Sequence, residues 1–396
     1  TDGVSFTSPN FASSIQEVID RSGWASGNSL VVITTPNSGN KGVSQRDRGT
    51  SYAARLHVTY TTAGSTFYVR TDGNDSNAGT GSSSSQAWQT IERALTSSSV
   101  GAGAVIHVMS GTYNEEIAPT RDGTSSSPIQ VIADRDGSVF GGIGGNVTIQ
   151  APSSTSVLDL EFDDYIRFTG FRMQGNGTDT VFLSDCSGIV FDSCEVYSGT
   201  GGFNIAGSST VTLSNCLIRN NSDSGVETHD SGCNLTMRHC TIVNNGSRGY
   251  RQDSGTSTIT NCIIANNLSD GLRRDGGTMT HTYNLVYGNS DNYDGTSAGT
   301  GELTSDPLFA GFADYRLQSG SPAIDSGADL SGTVNDDMDG NARPNGSSHD
   351  MGAYEYSVAG EYYVRPDGNN SKAGTGTSAS ETWATGRHAA KKALLA

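Results

Sequence analysis

Lysine is almost missing from this chain of 396 residues: Lys41, Lys372, Lys391 and Lys392 are the whole set, and none lies between Lys41 and Lys372. Any proton-transfer chemistry in the body must find its base among other side chains. Charged residues of both signs make up only 16% of the chain, and 24 basic residues face 41 acidic ones. The resulting net charge of −17 removes the basic footprint on which nucleic-acid binding depends, and an anionic membrane surface is an equally poor partner. So little Lys and Glu also argues against a mainly helical protein. No apolar run reaches the length of a membrane span and no signal peptide is seen, so membrane insertion is not expected. The chain begins at Thr1 rather than Met, which reads as a processed product or an excised fragment. Six cysteines are too few for a disulfide scaffold at this length.

Small residues fill the gap, with 51 glycines beside abundant Ser, Thr, Asn and Asp, while strict hydrophobics reach 34%. Such a chain must bury its backbone by regular pairing rather than by large side chains. The cysteines show how. Cys194, Cys216, Cys240 and Cys262 are spaced by 22, 24 and 22 residues, and the segments around them align as five consecutive rows beginning at Val181, Phe203, Val226, Tyr250 and Leu272. Each row holds short strand-like runs and ends in a turn rich in Asn and Gly. Strands this short make poor hairpins, whereas winding them into a coil pairs each with its counterpart one row later. A β-sandwich with coincidental spacing is the alternative weighed.

Three columns support the coil. Asn220/Asn221, Asn244/Asn245 and Asn266/Asn267 share one turn, where stacked amides can bond along the coil. The four cysteines form a second column, expected to be inward, reduced and unpaired. The row-opening apolar residues form a third. About nine rungs are expected between residues 100 and 310.

The segments FYVRTDGNDSNAGTG and AWQTIERAL (67 to 95), VIHVMSGTYNEEI and SSSPIQVIAD resemble the opening of secreted right-handed parallel β-helix proteins. That group includes the chondroitinase B-like and pectate lyase-like polysaccharide lyases, the pectin lyase-like superfamily. DPLFAG, DYRLQSGSPAIDSG, DDMDGNARP and DMGAYEY (306 to 356) resemble the closing segment of bacterial surface proteins of this type. The resemblance implies an all-β solenoid, a short helix over Trp88 to Leu95 capping its N-terminal end, and an extracellular or cell-surface location. Residues 63–358 would form the β-helix. Residues 1–62 resemble the last part of a jelly-roll module, and 359–396 repeat the cap segment as the start of a second β-helix. Both ends are incomplete as units, so self-association through residues 1 to 62 and 361 to 396 is expected, giving a head-to-tail homo-oligomer.

Alternation within the rows turns Phe182, Asn204, Glu227, Arg251 and Arg273 outward, and two positions later Ser184, Ala206, His229, Asp253 and Asp275. With rungs about 4.8 Å apart, Glu227, His229, Arg251, Asp253, Arg273 and Asp275 fall into one polar patch, with Asn204 at its edge. In β-helix enzymes acting on uronic-acid polymers, Arg or a metal neutralises the carboxylate and a base removes the adjacent proton. By that resemblance His229 would be the base, with Arg251 and Arg273 as clamps. A solvated ladder of ion pairs explains the same residues without chemistry. The lyases of this group use Lys or Arg as base, often with calcium held by acidic residues, and this body has no Lys and no tight acidic triad. Asp72, Asn74 and Asp75 in DGNDSN, and Asp336, Asp337 and Asp339 in DDMDGN, have oxygen spacing loosely suited to calcium, although turns explain both; no other cofactor is expected. Arg274 is odd, because its column is otherwise inward. Sequons at Asn146, Asn176 and Asn234 are expected by chance in this composition.

Two functions follow from these residues: a structural or adhesive extracellular rod that self-associates into a filament or sheath, and a polyuronate lyase or epimerase working at the His229 patch on a polysaccharide.

Overall fold

In a computed structural model, residues 65–357 are described. The segments read as a jelly-roll remnant and as a second cap lie outside the described residues, as do the ends expected to self-associate.

The repeating unit is three short strands that all pair in parallel with the same strands one row on. In one row these are Val181–Ser184, Ile189–Asp192 and Glu195–Tyr197. Stacking produces three sheets of nine, eight and seven strands, every pairing parallel, in a right-handed solenoid of about eight turns. The nine-rung expectation is slightly long, because residues 115 to 157 are spent largely on loops between strands Gly111–Asn114, Ile129–Asp134 and Val147–Gln150. The nine-stranded sheet begins with Thr66–Val69 and ends with Thr278–Thr282. The seven-stranded sheet runs from Leu158–Glu161 to Asp291–Asp294.

The strands alternate buried and accessible positions, so one set of side chains fills the coil and the other faces out. Val181, Phe203, Val226, Tyr250 and Leu272 are fully buried as one inward column. A helix does form, at Ile91–Thr96, later than expected; Thr90 caps its N-terminus and Ile91, Ala94 and Leu95 join Trp88 in the core. No helix among the described residues is long and apolar enough to cross a membrane.

The asparagine column is a continuous hydrogen-bond ladder. The Asn245 Oδ1 accepts from the Asn221 backbone N–H and from Asn221 Nδ2 at 3.1 and 3.0 Å, and Asn267 and Asn289 repeat the pattern. Asn220, Asn244 and Asn266 beside it hold φ of 52–56°, the left-handed region that Asn tolerates better than most residues. Asn245→Ala therefore strips one buried rung of its partners, and should cost about 1–3 kcal/mol in urea unfolding. A change below about 0.5 kcal/mol would mean that the ladder is ornamental.

All six cysteines are buried and free, with Cys194, Cys216, Cys240 and Cys262 stacked at the turn after the nine-stranded sheet. Burial pushes the Cys194 thiol up to about 12 and Cys186 to about 11. Thiolate formation is suppressed at these two, and burial denies a reagent access to all six. A thiol reagent should label none of the six in the native state and all six in denaturant; fast native labelling of the 194–262 column contradicts this packing.

The closing segment, residues 306–356, runs back along the turns of the coil instead of adding rungs. Asn261 receives the Ala328 N–H and the Asn215 side chain reaches the Asp336 carbonyl, contacts that span 67 and 121 residues. Arg343 and Glu355 pair in its interior with no solvent exposure.

Candidate functional site

The patch expected around His229 assembles on the outward side of the seven-stranded sheet. Glu227, Arg251 and Arg273 stand opposite one another on Val226–Thr228, Tyr250–Gln252 and Asp270–Arg274. His229 and Asp253 follow one position beyond the inward residues Thr228 and Gln252, and Asp275 follows Arg274, where that column ends. Below them lies a buried polar floor in which the Tyr250 hydroxyl meets Thr228 and Gln252, and Gln252 Nε2 donates to the Gly276 carbonyl. Such a floor fixes the backbone from which the outward side chains project.

His229 is held from both sides. Its Nδ1 lies 2.9 Å from Asp253 Oδ2, and its Nε2 lies 3.8 Å from Glu227 Oε2. Arg251 bridges Asp253 and Asp275 at 2.8 and 3.0 Å. Arg273 reaches Asp275 at 2.9 Å, Asp294 at 2.9 Å and Asp270 at 3.4 Å. The Asp270 and Asp294 contacts went unseen in the sequence because Asp270 opens its strand and Asp294 belongs to a later, irregular row. Burial opposes ionisation of Asp275, but hydrogen bonds from Arg251 and Arg273 outweigh it and hold this carboxyl below the usual range. Neither guanidinium grips one carboxylate through two hydrogen bonds. The His229 side chain keeps 31% of its surface in solvent, enough for a ligand to touch. A residue with one ring nitrogen fixed by a carboxylate and the other turned toward an accessible surface is arranged for proton transfer.

Asn204 is turned away from this group: its Nδ2 donates to Asp179 Oδ2 at 2.8 Å, whose other oxygen accepts the Gly201 N–H. Arg274 stands where the inward column ends, and its guanidinium leaves the core to reach the Gly295 and Gly277 carbonyls.

In the two acidic loops, every named side chain but Asp336 is engaged by the protein. Asp72 pairs with Arg70, Asn74 Oδ1 accepts from Ser76, and Asp75 accepts the Gln89 and Thr90 N–H groups and the Thr90 hydroxyl. Asp337 accepts N–H groups of Asp339, Asn341 and Glu355, and Asp339 is held by Arg316. The Asp336 side chain makes no hydrogen bond among the described residues. No group of three His, Cys, Asp or Glu is placed to share an ion among those residues.

The chain matches a family model described as right handed beta helix region over residues 157–306, the rows that carry this patch. No curated protein matches by sequence. Among solved structures, a pectate lyase is similar at 17% identity and a TM-score of 0.48, covering 74% of this chain and 96% of its own. A rhamnogalacturonan lyase is similar at 16% identity and 0.47, covering 57% and 69%. A pectin methylesterase from Aspergillus niger follows at 18% identity and 0.40, covering 63% and 86%. The family model describes the same architecture that the three parallel sheets form, a right-handed β-helix.

Proposed function

We propose that this β-helix acts on an acidic polysaccharide, as a lyase or epimerase, at the outward face of the seven-stranded sheet. The observation that carries the reading is His229, clasped by Asp253 at 2.9 Å and flanked by Arg251 and Arg273 on the neighbouring rungs. A uronate carboxylate lying against the two guanidinium groups loses the charge that resists removal of its α-proton. His229 Nε2 takes that proton, while Asp253 fixes the tautomer and stabilises the imidazolium that forms. The carbanion then either expels the neighbouring glycosidic oxygen, forming a C=C bond as the C–O bond breaks, or recovers a proton from the opposite side to give the epimer. Glu227, beside the same nitrogen, is placed to pass the proton on. With no lysine among the described residues, His229 takes the place of the Lys or Arg base that the resemblance implied. No cofactor enters these steps, so a chelator should leave turnover unchanged. A polymeric substrate is too large to enter a cell, which supports work outside it.

The rod-like structural function rests on a different observation: each guanidinium of the patch is already ion-paired with at least two carboxylates. In that reading the patch is a cross-strand ladder and the filament forms through the chain ends. Incubation with a panel of polyuronates separates the two. Catalysis gives ultraviolet absorbance from unsaturated sugars, or solvent deuterium in the recovered polymer; a purely structural protein gives neither on any member of the panel.

A further inference from the structure

A groove of about 1280 Å³ runs along the outward face of the nine-stranded sheet, closed on one side by residues 333–340 of the returning segment. It is on a different sheet from the His229 face. Most of its charges are already committed. Arg316 holds Asp339 and Asp314, Asp337 is consumed by N–H groups, and Arg167 lies 3.4 Å from Asp192. Asp136 accepts the Ser138 N–H, and Arg135 donates to the Met338 carbonyl.

Besides the rim carboxylate of Asp336, two uncommitted lining groups are neighbours. Arg238 makes no side-chain hydrogen bond or ion pair among the described residues, and its strand position lies directly opposite Ser214. Asn215, the next residue, is 3% exposed, and its Oδ1 is a buried acceptor with no partner. The orientation of that amide is fixed, because its Nδ2 faces two acceptors, Asp192 Oδ1 at 3.3 Å and the Asp336 carbonyl at 2.9 Å. The Asn215 N–H donates to the Arg238 carbonyl at 3.0 Å, so the residue with the unused cation and the residue with the unused acceptor are backbone neighbours in the groove lining. A buried acceptor without a donor is costly unless something supplies one.

The chemistry that satisfies both at once is an anionic group carrying a hydroxyl nearby: the anion takes Arg238 and the hydroxyl donates to Asn215 Oδ1. Thr169, Thr212 and Ser214 on the groove floor add hydroxyl partners, and the groove's run across several rungs suits an extended chain better than a compact anion. Asp336 on the rim disfavours a densely charged ligand such as nucleic acid, in keeping with the net charge of −17.

We infer that this groove is a binding site for an acidic oligosaccharide, with Arg238 and Asn215 as its recognition pair, separate from the His229 face. Binding here does not require turnover there. Calorimetric titration of the full chain with tetra- to hexasaccharides of a polyuronate, a sulfated glycan and a neutral glucan tests it. The expected result is binding of one or both acidic series but not the neutral one, weakened about tenfold or more in Arg238→Gln and unchanged in His229→Ala. The uronate and sulfated arms identify which anion is read. Equal binding by wild type and Arg238→Gln, equal binding of the neutral glucan, or no binding by the wild type overturns the inference. Affinity lost in His229→Ala but retained in Arg238→Gln also overturns it, while leaving the proposed function standing. Arg238→Gln faces outward and should fold normally; Arg238→Lys, which keeps the charge, should recover part of the affinity.

Discussion

His229→Ala lowers turnover of the responsive polyuronate by about 10²–10⁴-fold, the range expected when a positioned general base is removed. The loss should fall on kcat rather than KM, because substrate carboxylate contacts are assigned to Arg251 and Arg273 and survive. The His229 side chain keeps 31% of its surface in solvent, so the unfolding midpoint should move little. Asp253→Asn is the informative companion. It preserves shape at 2.9 Å from Nδ1 but no longer offers the imidazolium a carboxylate, so it should lower kcat while His229 remains in place. A chain whose activity survives both changes has its base elsewhere.

Glu355→Ala costs about 3–5 kcal/mol of stability, the largest effect expected from a single substitution in the closing segment. Arg343 and Glu355 are fully buried, and Glu355 also accepts the Asp350 and Asn345 N–H groups at 3.0 and 2.8 Å. Truncation leaves a buried guanidinium facing only the Gly352 and Asp350 carbonyls and two N–H groups facing nothing. Burial already pulls the Arg343 pKa down against the pull of its carboxylate partner. The pair fastens a strand-free stretch to the coil: Met351 and Ala353 are buried, the Gly352 N–H reaches the Asn261 carbonyl, and the Ala353 N–H reaches Thr241. Because a solenoid loses stability from its ends, the variant should first release residues 306–356, seen as early protease cleavage there, before the rows around Cys194 open. Denaturant unfolding within 1 kcal/mol of wild type would show that the clip does not hold the segment.

The repeating rows were legible because their cause is local and periodic. A 22-residue spacing of Cys, Asn and apolar positions can arise only if each row meets the next, and the observed registers of Phe203 with Val226 and Glu227 with Arg251 follow from that spacing. The same alternation brought His229, Arg251 and Asp253 together correctly. Asn204 was placed on the right face, but its partner, Asp179, comes from the turn before its own strand, where no periodicity guides the eye. The groove at Arg238 and the Arg343–Glu355 clip were invisible for another reason. Both depend on the path of residues 306–356, whose contacts, such as His239 Nδ1 with the Asp350 carbonyl, join positions 111 residues apart with no shared period. In the DDMDGN loop, acidic spacing in a sequence does not reveal that backbone N–H groups hold Asp337 and Arg316 holds Asp339.

The most direct measurement is a crystal structure of His229→Ala soaked with an oligosaccharide of whichever polyuronate the wild type turns over. The account predicts a uronate unit lying across the strands Tyr250–Gln252 and Asp270–Arg274, its carboxylate against Arg251 and Arg273 and its α-carbon within reach of the vacated imidazole. Sugar bound only in the groove beside Arg238, or no sugar on the seven-stranded sheet at concentrations that saturate turnover, would contradict it.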